Sequence, residues 1–228
     1  MPLDHPSATR RRNLVVIAIL AVAALTGGGV YAWEAQIKPR FIVKNFGVVE
    51  AGHVYRSGRL TTHTLEKVIR ERGIKTVIDF GADAKGSPED LAEQAVCDAH
   101  GLTRRRLDLN GDGTGDPNMY VAALRILADP ANHPVLLHCG AGSQRTSAAV
   151  ILYRHFLQNK TITETYPEAF AYGHQPRKDF ILPTYLADWI TEIERSYRTG
   201  DPIAVRMVNA QATRQEASPA HQVVNAQP

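Results

Sequence analysis

A chain of 228 residues is long enough to bury one sizeable core, and a composition that is 44% hydrophobic and 21% charged excludes wholesale disorder and a multi-span membrane protein. The net charge of +3 is too small and too scattered for a nucleic-acid surface; the interior basic run, Arg104-Arg105-Arg106, has no aromatic residues interleaved for stacking and reads as a solvated strand edge. Two cysteines, Cys97 and Cys139, are too few for a disulfide framework.

At the N-terminus, Arg10, Arg11 and Arg12 precede a stretch with no charge from residue 13 to residue 33. Its strongly apolar part, Leu14 to Leu25, has the length of a signal-peptide core, and the whole stretch is about long enough to span a bilayer. Val30-Tyr31-Ala32 fits a small-x-small cleavage rule, so a cleaved signal and an uncleaved membrane anchor are both open. Either way the arginines stay cytoplasmic and the remainder is exported, to the periplasm or another extracytoplasmic space. The expected division is residues 1–34 for this segment, 35–45 for a linker, 46–199 for a folded domain, and 200–228 for a disordered Ala/Gln/Pro-rich tail.

Along the domain, FGVVEAGHVYRSGRL reads as two short strands joined by the Ala51-Gly52 turn. TTHTLEKVIRERG, with its Thr cap and terminal Gly73, predicts a helix, and IKTVIDFG a β-branched strand. Ser87-Pro88-Glu89 opens a second helix with Leu91, Ala95 and Val96 on one face. LTRRRLDL is the next strand, which places Asp108 within it. A helix through NMYVAALRILA, the apolar strand PVLLHC, a helix RTSAAVILYRHFLQ that is apolar nearly all round, and an amphipathic helix PTYLADWITEIERSY follow. Strands alternating with helices predict an α/β domain with a largely parallel central sheet flanked by helices.

The stretch LDLNGDGTGDPN, residues 107–118, matches the front half of a calcium loop at Asp108, Asn110, Asp112 and Gly113. Position 12 of such a loop needs a bidentate Glu and here holds Met119, and a strand rather than a helix precedes it. No His-x-x-x-His or paired-cysteine spacing occurs, so the reading calls for no metal and no other cofactor.

Between the apolar strand and the buried helix lies HCGAGSQRTS, residues 138–147. A short loop entering a helix N-terminus turns successive N–H groups inward, and Gly140 and Gly142 allow the dihedrals that such an anion cradle needs. Arg145 is placed to fork two phosphate oxygens. Cys139 lies at the floor, where helix dipole and N–H groups favour the thiolate and make it a nucleophile for in-line displacement at phosphorus. Thr146 can donate to the sulfur, and His138 orients the loop. The phosphate-binding loop is thus His138, Cys139, Gly140, Ala141, Gly142, Ser143, Gln144, Arg145 and Thr146.

This loop resembles the signature of the cysteine-dependent protein tyrosine phosphatases. GHVYRSGRL through GIKTVIDFG resembles the small atypical dual-specificity type, which includes bacterial periplasmic, plant and fungal members. The resemblance covers about residues 46–160. It implies the phosphotyrosine-phosphatase fold, a phosphocysteine intermediate, and an aspartate that protonates the leaving oxygen and then activates water. The candidates are Asp108, Asp112 and Asp116. Asp116 precedes Pro117 and reads as a helix cap. Asp112, on the loop leaving the strand, is the choice for acid/base, and spacing in the resembled family favours it; Asp108 is the alternative. Arg56 and Ser57 are given no catalytic role.

Family members that prefer inositol phosphates often carry Lys or His in this loop, whereas Gly140, Ala141, Ser143 and Gln144 are neutral. The partner is therefore a phosphoprotein or small phosphorylated substrate, phosphotyrosine first, with dual specificity open. Rival readings are a membrane-held phosphate-binding module with weak or no turnover, and sulfur transfer. A reversible Cys97–Cys139 disulfide would protect the nucleophile.

Overall fold

The computed structural model describes residues 8–33 and 38–204. Helix α1 (Ala8–Ala32) contains the window Val15–Ala32, with mean hydropathy 2.2 and no burial against the domain, long and apolar enough to cross a membrane. A short helix α2 (Lys38–Phe41) leads to β1 (Gly47–Glu50) and β2 (Val54–Ser57), an antiparallel pair joined through Gly52 at φ +77°. Strands and helices then alternate: α3 (Thr62–Arg72), β3 (Thr76–Asp79), α4 (Pro88–Ala99), β4 (Thr103–Arg106), α5 (Pro117–Ala128), β5 (Val135–His138) and α6 (Gln144–Gln158). Helix α7 (Ile162–Thr165), a 3-10 stretch at Tyr166–Tyr172 and α8 (Ile181–Thr199) complete the described domain.

Helix boundaries follow local chemistry. Thr61 and Thr64 form a capping box on α3, and Gly73 ends it in the left-handed region at φ +63°. Ser87 caps α4 ahead of Pro88, and Asp116 accepts from the Asn118 N–H at 2.9 Å ahead of Pro117 on α5.

The sheet order is β1-β2-β5-β3-β4, with all pairs parallel except β1-β2. Register puts Ser57, His138, Asp79 and Arg106 in one row across the carboxyl ends of the four parallel strands. Side-chain alternation splits the core in two. Val77 and Leu136 face a cluster with Leu65, Val68, Val96 and Cys97 of α3 and α4. Ile78 and Leu137 face a larger one with residues of α5, α6 and α8, to which α6 contributes Ala148 to Tyr153. Cys97 and Cys139 belong to different clusters, and both are free thiols.

Three expectations are corrected. Strand β4 ends at Arg106, because its partner β3 ends at Asp79; Asp108 therefore lies past the strand, with its side chain 55% exposed. The arginine run is an edge strand, yet Arg104 and Arg106 are not solvated. They are 5% and 15% exposed and pair with Asp79, Asp90 and Glu93 at 2.7–3.3 Å. The same pairing sets the face of α4: Asp90, Glu93, Val96 and Cys97 turn inward, while Leu91 is 60% exposed and Ala95 is exposed. Buried charges require opposite charges at contact distance, and that requirement outranks the burial of one leucine.

At the C-terminal end, Ile203 is buried, and its backbone N–H and carbonyl both bond the Asn118 amide, at 2.8 and 3.0 Å. The expected tail from residue 205 onward, and residues 34–37 of the expected linker, lie outside the described residues.

Candidate active site

The site occupies the carboxyl edge of the parallel strands, where open α/β sheets bind ligands. β5 delivers His138, the chain turns through Cys139–Ser143, and α6 begins at Gln144. Three carbonyls of that turn are held from outside. Gly140 O accepts from the Arg59 N–H at 3.1 Å, Ala141 O from Asn45 Nδ2 at 2.8 Å, and Gly142 O from Arg56 Nη2 at 2.7 Å. In a planar trans peptide the N–H opposes the carbonyl, so the N–H groups of Ala141, Gly142 and Ser143 face inward. The Gly142 N–H accordingly reaches Cys139 Sγ at 3.2 Å. Gly142 sits at φ +73°, and a Cβ on it would lie 2.6 Å from the Gly58 nitrogen, so glycine is required on both counts. Ser143 makes no side-chain cap; its hydroxyl donates to Tyr172 O at 2.6 Å, leaving the first N–H groups of α6 for an anion.

Burial alone would raise the Cys139 thiol. The Thr146 hydroxyl, the Arg145 charge and the Gly142 N–H outweigh it, so the thiol is held below its ordinary value. The Thr146 hydroxyl is buried with no hydrogen-bond partner within the domain, and it acts on the sulfur as one of the influences that lower its pKa. Arg145 Nη1 is strapped to the carbonyls of Phe80, at 2.7 Å, and Gly81, at the end of β3. Its Nε is buried without a partner, and Nη2 lies 3.5 Å from where a Cβ of Gly140 would be. One edge of the guanidinium is thus anchored, and its other donors remain for a phosphate.

His138 is buried beneath the loop, with Nε2 2.9 Å from Glu93 Oε1 and 3.9 Å from Asp79. Burial would lower its pKa, but the charge and hydrogen bond of Glu93 reverse this and hold it above the ordinary imidazole range. Asp79, Glu93 and His138 form the metal-like trio of the described residues, yet Arg104 and Arg106 already neutralise its carboxylates and would repel a cation.

Sequence reasoning missed the outer supports. Arg56 is fully buried, with its guanidinium 3.6 Å from the Tyr172 ring centroid, and it also donates to Ser147 Oγ at 2.8 Å. Asn45, at φ +50°, bridges Ala141 O and Tyr172 O. His174 Nδ1 contacts Gln144 Oε1 at 2.6 Å, and its Nε2 contacts Tyr166 Oη at 2.5 Å. The stretch 166–174 carries no chemical motif; only its aromatic content marks it as a packing segment.

The aspartates separate by partner. Asp108 pairs with Arg106 at 2.8 Å. Exposed Asp112 accepts from Thr114 N–H at 3.0 Å and Oγ1 at 2.7 Å, on a loop whose next residue, Gly113, lies against the backbone of Gln144 and Arg145. Asn110 Nδ2 donates to the same Thr114 hydroxyl at 3.0 Å, while Asp108 is turned to Arg106, so the calcium-like positions do not converge on one point.

A family model described as DSP-PTPase phosphatase fused to NAD+ Kinase matches residues 45–180. The chain belongs to the DSP-PTPase phosphatase family. The inositol diphosphatase DSP1 of Oryza sativa subsp. japonica is 33% identical to this phosphatase-family chain over 130 residues, 54% of each chain; our chain thus spans about half the length of that curated relative. The core catalytic domain of the PP-IP phosphatase SIW14 from S. cerevisiae superposes with TM-score 0.53 at 21% identity, over 68% of our chain and 94% of that one. P. aeruginosa TpbA in complex with pTyr gives 0.52 at 19% identity, over 65% and 87%. At these identities the two structures establish a shared fold, with its largely parallel sheet flanked by helices.

Proposed function

We propose that this protein is a cysteine-dependent phosphatase that hydrolyses phosphate monoesters, phosphotyrosine foremost, through a phosphocysteine intermediate. The observation that carries the reading is Cys139 Sγ at the floor of inward N–H groups, its thiol held low, beside an Arg145 with unused donors. Cys139 attacks phosphorus, forming the S–P bond as the ester O–P bond breaks, and Asp112 gives its proton to the leaving oxygen. Asp112 then takes a proton from water, the water oxygen bonds to phosphorus, and the S–P bond breaks to return the thiolate. Arg145 and the loop N–H groups hold the equatorial oxygens throughout. His138 and Thr146 support the thiolate, and no metal or cofactor takes part.

A second reading, cleavage of inositol diphosphates, is favoured by the rice relative's name. Against it, Gly140, Ala141, Ser143 and Gln144 add no charge to meet several phosphates. Export of the domain, with α1 as signal or anchor, fits the basic flank and exposed apolar window. The test is turnover of phosphopeptides and inositol phosphates by the full chain, with Cys139→Ser and Asp112→Ala alongside. Full activity of Cys139→Ser overturns the mechanism. Preference for an inositol diphosphate overturns the substrate, and phosphopeptide binding without turnover supports a binding module instead.

A further inference from the structure

The Asp112 loop is a small self-bonded unit: Gly113 N–H donates to Asn110 O at 2.9 Å, and Asn110 N–H to Thr114 O at 2.9 Å. Two tyrosine hydroxyls tie it to the body of the domain. Tyr120 Oη donates to Gly113 O at 2.6 Å, and Tyr185 Oη to Gly115 O at 3.1 Å. Their rings belong to a ladder, Phe80–Tyr120–Tyr185–Trp189, with centroids 6.1, 6.1 and 6.4 Å apart. The ladder starts at the residue whose carbonyl straps Arg145 and ends on α8. Gly113 is pressed between Leu182 and the Arg145 backbone; a Cβ there would lie 2.9 Å from Leu182 Cδ1 and 3.6 Å from Arg145 N.

We propose that Tyr120 and Tyr185 are positioning residues that hold the Asp112 loop over the phosphate-binding loop, so that the carboxyl meets the leaving oxygen. The inference rests on the reading of Asp112 as acid/base. Tyr120 is fully buried, so a loop that lifts away strands both its hydroxyl and the Gly113 carbonyl without partners, and the seated loop is preferred. Burial also pushes the Tyr120 phenol well above its ordinary value, which keeps it a donor across the working pH range. Two ties also flank the one residue between them, Thr114, whose hydroxyl and N–H orient the Asp112 carboxylate.

The test compares phosphotyrosine with an aryl phosphate whose phenol is acidic enough to leave unprotonated. Full-chain wild type, Tyr120→Phe, Tyr185→Phe, the double variant and Asp112→Ala are assayed for kcat/KM on both. Asp112→Ala is expected to lose about 100-fold on phosphotyrosine and far less on the activated ester. Each Tyr→Phe variant is expected to lose about 5-fold to 10-fold on phosphotyrosine with the activated ester nearly unchanged, and the double variant more. Equal losses on both esters, or none on either, overturn the inference. Tyr185, whose hydrogen bond is only part-buried, carries the test alone should Tyr120→Phe not fold. An Asp112→Ala variant without leaving-group dependence removes the acid assignment itself; dependence in Asp112→Ala but not in the tyrosine variants removes only the positioning role.

Discussion

Arg56 Nη2, buried on β2, donates to the Gly142 carbonyl at 2.7 Å and so decides which way a peptide of the proposed phosphate-binding loop faces. Burial costs this guanidinium part of its proton affinity, lowering its pKa to about 10, and the Tyr172 ring covers its face. Arg56→Met keeps the apolar bulk and removes the donor. We expect kcat/KM to fall about 100-fold, since a misplacement of that order follows from a freed peptide. Vanadate inhibition should weaken in parallel. Arg56→Lys should recover only part, having no planar fork. Unchanged kinetics in Arg56→Met would show that the loop holds its shape unaided.

Thr146→Val removes the hydroxyl that offsets burial at Cys139. With that support gone the thiol pKa rises, and less thiolate is present at a given pH. The acid limb of Cys139 alkylation by iodoacetamide should move to higher pH. A limb in the same place would mean that Arg145 and the N–H groups suffice.

Asp90 is held down at about 2: burial opposes its ionisation, but the Gly86 N–H and Arg104 outweigh it. A depressed carboxyl stabilises the fold above its unfolded value of 3.8, and that contribution is lost as pH falls through about 2. The gap in urea midpoint between wild type and Asp90→Asn should therefore be constant from neutral pH to about 5 and close towards pH 2. A gap that widens on acidification contradicts the pairing.

Cys97 sits in the α3/α4 cluster with its thiol pushed up to about 12 by burial, whereas Cys139 is held low on the other side of the sheet. Native-state alkylation at neutral pH should modify Cys139 and spare Cys97. Mild peroxide should oxidise Cys139 without a Cys97–Cys139 peptide in the mass spectrum, because the two thiols pack in different core clusters. A linked peptide would revive the protective disulfide.

By itself the sequence determined what depends on neighbours along the chain. Strand–loop–helix order around HCGAGSQRTS, the Thr61, Ser87 and Asp116 caps, and the Gly52 and Gly73 turns are local, because a cap or turn acts within four residues of itself. The calcium-like spacing is equally local: spacing does not say what each side chain finally contacts.

Only the tertiary structure decided the rest. Arg56 and Asn45 reach the loop between β5 and α6 across 86 and 96 residues, and no periodicity encodes a hydrogen bond of that span. The inward turn of Asp90 and Glu93, and the desolvation of Arg104 and Arg106, arise where β4 meets α4; charge placement there is settled by pairing in a low-dielectric interior. Strand β4 stops at Arg106 because β3 offers it no further partner, and so Asp108 and Asp112 both leave the sheet at its carboxyl edge. A strand's length belongs to the pair, not to either sequence.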